Sequence, residues 1–170
     1  MDAVIACGLQ NAWFSKKGSM YLGDRADVLK VRMESYLREQ RARGGLIFGV
    51  REVHHASDTF YRRGRSHSVV GSHDVDIPEA FKPHLKLIVN ATRPSAFFAT
   101  MLDSELGKAR PERVHVVGLE THMAVLFTAE ELRNRDYEVV VPEALTSSSD
   151  EYLHALGVNL LANSLSVVVS

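Results

Sequence analysis

Apolar residues come along this chain in two alternating kinds of run. Ala3 to Leu9, Leu46 to Val53, Leu85 to Val89, Val114 to Val117, Tyr137 to Val141 and Leu165 to Val169 are short continuous stretches. Their length and β-branched content are those of strands buried on both faces. Between them, apolar positions recur at helical spacing. Ala26, Leu29, Met33, Tyr36 and Leu37 share one face of a helix that Asp24 can cap and Gly44-Gly45 stops. Phe97, Phe98, Met101 and Leu102 form the inward face of a helix opened by Pro94 and closed by Gly107. Met123 to Ala129 are apolar almost all round the first turns of a third, with Thr121 as its cap. Leu153, Leu156, Leu160 and Leu161 mark the buried side of a last helix, capped from within Ser147 to Asp150. Strand and helix in alternation predict a parallel sheet covered by helices on both faces, with right-handed crossovers. A chain of 170 residues, 1–170, is then one α/β domain large enough for its own core.

In open α/β sheets, ligands sit where strand carboxyl ends meet helix N-termini. The turn Gly118-Leu119-Glu120-Thr121-His122-Met123-Ala124 is therefore where chemistry is expected, and its tip carries alanine rather than a nucleophile. G-x-G-x-x-G after the first strand, a Walker A motif and a G-x-S-x-G elbow are all missing. Dinucleotide binding, phosphoryl transfer and α/β-hydrolase chemistry lose their main support. A net charge of −1 argues against a broad nucleic-acid surface. No apolar run is long enough to cross a bilayer, and no basic n-region precedes the first strand. Cys7, the single cysteine, has no partner for an internal disulfide, which predicts a reducing, cytoplasmic setting.

Three separated segments carry a resemblance. Gly8-Leu9-Gln10-Asn11-Ala12-Trp13-Phe14 is similar to D-M-Q-N-D-F. Ala91-Thr92-Arg93-Pro94-Ser95-Ala96-Phe97 is similar to K-x-R-x-S-A-F. Gly118 to Val125 is similar to G-x-x-T-x-x-C-V and is followed by a matching Thr128-Ala129. Val139 to Ala144 and His154-Ala155-Leu156 fit a D-A…H-x-x-A-L ending. In this order and spacing the chain resembles the isochorismatase-like cysteine hydrolases, which include nicotinamidases and N-carbamoyl amidohydrolases. The resemblance implies a three-layer α/β/α sandwich around a six-stranded parallel sheet in order 3-2-1-4-5-6. It implies a non-proline cis peptide at Leu119-Glu120 and a homodimer or larger assembly. It also puts the family's aspartate on Gly8, its lysine on Ala91 and its nucleophilic cysteine on Ala124. Acyl transfer by that mechanism needs a thiolate, a base and oxyanion stabilisation, and glycine and alanine supply no side chain for any of them. The expectation is a catalytically degenerate protein kept for small-molecule binding or assembly, with a pocket from Gln10, Phe14, His54, Phe97, Glu120, Thr121 and His122. The alternative is an active hydrolase or lyase working through an unrecognised set such as Glu120, His122 and His54.

Several residues invite a further reading. Cys7 neighbours position 8, but successive strand residues face opposite ways, so Cys7 is expected against a helix layer as a structural thiol. Glu120 and His122 are an acid–base pair or the ordinary decoration of a helix N-terminus. Glu52-Val53-His54 is similar to the D-x-H that binds a metal in nicotinamidases, with His67 or His73 as third ligand. Arg51 and His54 equally match an R-x-x-H of relatives without metal, so a surface cluster and no cofactor are expected. Arg62, Arg63 and Arg65, beside Tyr61, read as a solvated loop. They belong to a long connection from His54 to Pro83 that, with His84, holds five of the eight histidines. Such a length inside a compact domain is more often functional or interfacial than idle.

Overall fold

The structure, a computed structural model, describes residues 1–61 and 67–170. Arg62, Arg63 and Arg65 lie outside the described residues. The strands are β1 (Ala3–Cys7), β2 (Leu46–Glu52), β3 (Leu87–Ala91), β4 (Arg113–Leu119), β5 (Glu138–Val141), β6 (Thr146–Ser147) and β7 (Val168–Val169). The helices are α1 (Asn11–Phe14), α2 (Asp24–Ala42), α3 (Leu102–Ala109), α4 (Leu126–Arg133) and α5 (Glu151–Asn163). All pairings are parallel, in order β3-β2-β1-β4-β5-β7. This is the expected α/β/α order, lengthened only by two-residue β6, which extends the sheet beside Gly118 and Leu119 of β4.

Alternation along β1 divides the core into two layers. Ala3, Ile5 and Cys7 pack toward α3, α4 and α5, through Leu102, Leu106, Ala129, Leu132 and Leu161. Val4 and Ala6 face α1 and α2, through Trp13, Leu29, Met33 and Leu37. No helix among the described residues is long and apolar enough to cross a membrane.

The segment after β3 departs from the expected helix at Pro94. Residues 92–101 form turns, and Ala99 takes a left-handed φ of 52° that a continuous helix does not contain. Thr128 Oγ1 accepts the Ala96 N–H, and Thr100 Oγ1 donates to the Ala96 carbonyl, so side chains bond this backbone instead of a helical ladder. Phe97 and Leu102 turn inward as expected, but Phe98 and Met101 are 54% and 56% exposed. The helix that does form passes through Gly107 rather than stopping there. In α5, Asp150 caps the helix by accepting the Leu153 N–H. Its buried side is Gly157 and Leu161, with Leu156 exposed. Near the other edge, Ser166 at φ 53° bends the chain, so the last strand is shorter than Leu165 to Val169. Gly23, not Asp24, caps α2, and the β3 strand lies two residues beyond the expected start at Leu85.

Candidate functional site

Four strand ends meet at the carboxyl edge. Glu52 of β2 is in register with Ala91 of β3, and Cys7 of β1 with Gly118 of β4. Just beyond them stand Gly8 and the Leu119-Glu120 peptide, which is cis as the resemblance implied. Thr121–Val125 then make one π-helical turn before α4, with Glu120 rather than Thr121 in the capping position. Ala91 and Ala124 are buried at 1% and 3% exposure. Gly8 has φ 59°, and a Cβ there would lie 2.5 Å from the Leu119 carbonyl oxygen. No side chain fits position 8 on this backbone.

Cys7 faces the helix layer, as alternation predicts, with Sγ 3.8 Å from both the Ala124 carbonyl oxygen and Thr128 Oγ1. Burial pushes its thiol up to about 12. It supplies no thiolate near neutral pH.

The groups gathered at this edge are a carboxylate and two imidazoles. His54 Nε2 lies 3.3 Å and His67 Nδ1 3.7 Å from Glu52 Oε2. One donor atom from each of the three residues lies within 4.8 Å of the other two. His67 is delivered by an extra rung beside the end of β2: His54 N–H donates to the Ser68 carbonyl, and Val70 N–H to the His54 carbonyl. Gln10, fully buried, accepts the Glu52 N–H on its Oε1 at 2.5 Å and donates to the Glu52 carbonyl at 3.0 Å. Burial lowers the His67 pKa from its usual value. Tyr61 stacks on His54 with ring centroids 3.5 Å apart, and Trp13 meets His67 edge-on at 5.7 Å. His54 Nδ1, the Tyr61 hydroxyl and Trp13 Nε1 are buried with no hydrogen-bond partner among the described residues.

His73 is not in this group; its Nε2 lies 3.0 Å from Ser15 Oγ, on a different hollow bordered by Phe14 and Asp76. Phe14 is core, edge-on to Phe81 at 5.4 Å. Phe97 is likewise buried, under the Arg135 guanidinium at 4.4 Å. Glu120 and His122 do come together, Oε2 to Nε2 at 3.9 Å. Both are tied to the approach of α5: Glu120 Oε1 accepts from Ser149, and Ser148 Oγ lies 3.0 Å from His122 Nδ1. Ser148 is fully buried and its Oγ accepts the Thr121 N–H. Thr121 Oγ1 lies 2.8 Å from His154 Nδ1. Sequence reasoning missed Ser68 and Asp74, because no local pattern marks a residue whose role is to bond another loop.

The donor set suits a divalent ion. Carboxylate and imidazole ligands sit about 2.0–2.2 Å from zinc, hence at most about 4.4 Å from one another. Glu52 Oε2 lies 3.3 Å from His54 Nε2 and 3.7 Å from His67 Nδ1, both inside that span, so the trio fits such an ion.

The isochorismatase domain model matches residues 2–170. The isochorismatase family protein PncA of Bacillus subtilis (strain 168) is 22% identical over 179 residues, covering 99% of this chain and 98% of its own. The crystal structure of the pyrazinamidase/nicotinamidase of Streptococcus mutans UA159 superposes with TM-score 0.89 at 23% identity, covering 100% of both chains. The pyrazinamidase of Pyrococcus horikoshii in complex with zinc superposes with TM-score 0.83 at 20% identity, over 99% of this chain and 98% of that one. At these identities the structural likeness is one of fold.

Proposed function

Because the chain belongs to the isochorismatase family, we propose that it is a hydrolase-fold protein without thiol chemistry, which binds a small molecule beside a divalent ion held by Glu52, His54 and His67. The observation that carries the first half is Gly8. The position the resemblance gives to the catalytic base has a left-handed backbone closed by the Leu119 carbonyl, so a base there would need the backbone to shift as well as a change of residue type. Ala91 and Ala124 leave neither cation nor nucleophile beside it. Support for the second half is the Glu52–His54–His67 trio, and a relative of the same fold is a zinc complex. A bound ion would supply a Lewis-acidic contact for a carbonyl or carboxylate oxygen. Glu52 brings the negative charge, His54 and His67 the neutral nitrogens, and Tyr61 and Trp13 wall the imidazoles from water.

Calorimetric titration with Zn(II) and Co(II), run beside assays on nicotinamide, isochorismate and N-carbamoyl substrates, tests both halves. Expected are saturable metal binding, weakened by about tenfold or more in His54→Ala and His67→Ala, and no turnover with or without metal. Absence of binding in the wild type would remove the metal. The Glu120–His122 pair favours one rival reading, an active hydrolase acting through these side chains. Turnover near one per second, an ordinary enzymatic rate at about the low end, abolished by Glu120→Ala or His122→Ala, would establish that rival instead.

A further inference from the structure

The turn that carries Ala144, Thr146 and Ser147 faces one stripe of α2 across a hollow of about 310 Å³. This hollow shares no residue with the one at His54, Tyr61 and His67. Helical spacing sets its α2 side. Arg25, Val28, Leu29 and Arg32 are separated by three or four residues, so they fall on one face of the helix. The two arginines stand about 10.5 Å apart along the axis at 1.5 Å per residue, with the valine and leucine between them. Leu29 is buried, whereas Val28 is 50% exposed. Together with Ala144 they give the hollow an apolar lining.

Charge around this lining is unbalanced. Arg25 and Arg32 border it with a single acid, Asp24, which lies in the first turn of α2, where free backbone N–H groups favour a carboxylate. Arg38, Arg43, Arg93, Arg113 and Arg135 have carboxylate partners, but among the described residues Arg25 and Arg32 have none. Glu143 borders Arg32 only in a neighbouring hollow, and no ion pair joins them. Arg25 is nonetheless held in place. Its Nη1 donates to the Ser148 carbonyl at 3.4 Å and its Nη2 to the Ser149 carbonyl at 3.3 Å. A guanidinium has five N–H donors, so Arg25 keeps three of them for a ligand.

We propose that this hollow is a binding site for a small organic carboxylate. Its anionic group is drawn by Arg25 and Arg32, and its apolar body lies on Val28, Leu29 and Ala144. The planar guanidinium fork matches a carboxylate with two parallel hydrogen bonds. The apolar lining favours a ligand with a hydrocarbon body over a bare inorganic ion, which would leave Val28 in water. Ligand sites ordinarily run from about 300 to 1,000 Å³, so this one takes a molecule no larger than a single ring or short chain.

The probes are benzoate, neutral benzyl alcohol and inorganic phosphate. Each is titrated into metal-free, isotope-labelled full-length protein and followed at the backbone amides of Val28, Leu29 and Ala144. Benzoate is expected to shift these amides with saturation at a millimolar dissociation constant, the ordinary affinity of a ligand with so few atoms. Benzyl alcohol lacks the charge and phosphate lacks the apolar body, so each should bind about tenfold more weakly or not at all. Arg32→Ala and Val28→Asp change exposed positions, the second placing a carboxylate under the ligand. Each is expected to weaken benzoate about tenfold or more while melting as the wild type does. Equal binding of benzyl alcohol overturns the recognition of charge, and equal binding of phosphate overturns the organic ligand. A shift that does not saturate, or that survives both substitutions, overturns the site. No metal enters the titration, so failure here leaves the reading of Glu52, His54 and His67 standing.

Discussion

Gly8 follows the end of β1 and Gly118 pairs with Cys7 near the end of β4, with φ values of 59° and 110°. At Gly8 the added Cβ would approach a peptide oxygen, which cannot swing away as a flexible side chain can. A left-handed backbone costs a non-glycine residue about 1–2 kcal/mol before any contact is counted. Gly8→Ala is therefore expected to lower stability by more than about 2 kcal/mol in urea unfolding, the extra coming from overpacking. A loss below about 0.5 kcal/mol, the scale of an ordinary surface substitution, would show that the turn relaxes freely. At this scale the sequence was half legible. Motif spacing located positions 8, 91 and 124, because residue type is written in the chain. The φ at Gly8 was not, since glycine permits left-handed geometry without requiring it. The third donor was undecided between His67 and His73 for a similar reason: only the hydrogen bonds of Ser68 and Asp74, far from any motif, aim His67 inward.

The six expected strands were legible as elements because each is a continuous apolar run, and their order held, whereas polar, two-residue β6 was not. Helices were legible where one stripe is buried, as in α2, and failed where a side chain took over the backbone, as Thr128 does at Ala96. α5 shows why a leucine pattern can mislead. At Gly157 an added Cβ would lie 2.9 Å from His122 N, so the helix rests on the π-turn through a glycine and Leu156 turns outward. Gly107 of α3 has nothing within 4 Å of its would-be Cβ. The two glycines thus forecast opposite outcomes from one substitution. Gly107→Ala should stabilise by roughly 0.5–1 kcal/mol, the helix-propensity gain. Gly157→Ala should destabilise by about 1–3 kcal/mol, the usual scale of overpacking. Thermal melts of both variants check this, and a Gly157→Ala protein as stable as the wild type would refute the close packing of α5.

Across the whole molecule, the site is assembled from segments distant in sequence, and Asp74 binds several of them. Burial pushes its carboxyl up, but hydrogen bonds from Ser19 and Ser68 outweigh this and leave its pKa below the ordinary value. A carboxylate with a depressed folded pKa stabilises the fold above its unfolded pKa, near 3.9, and that contribution is lost as pH falls through the folded value. Wild-type stability should therefore fall more steeply between about pH 5 and pH 2 than that of Asp74→Asn, measured by urea midpoints across that range. Parallel slopes would mean that the carboxylate is not what ties Ser19 to Ser68.

The closed turn at Gly8 also sets what this chain can acquire by single substitutions. An acid placed at position 8 would meet the Leu119 carbonyl at once, so under the reading proposed above that first step carries a folding penalty before it can offer any benefit, and the change behaves as a ratchet.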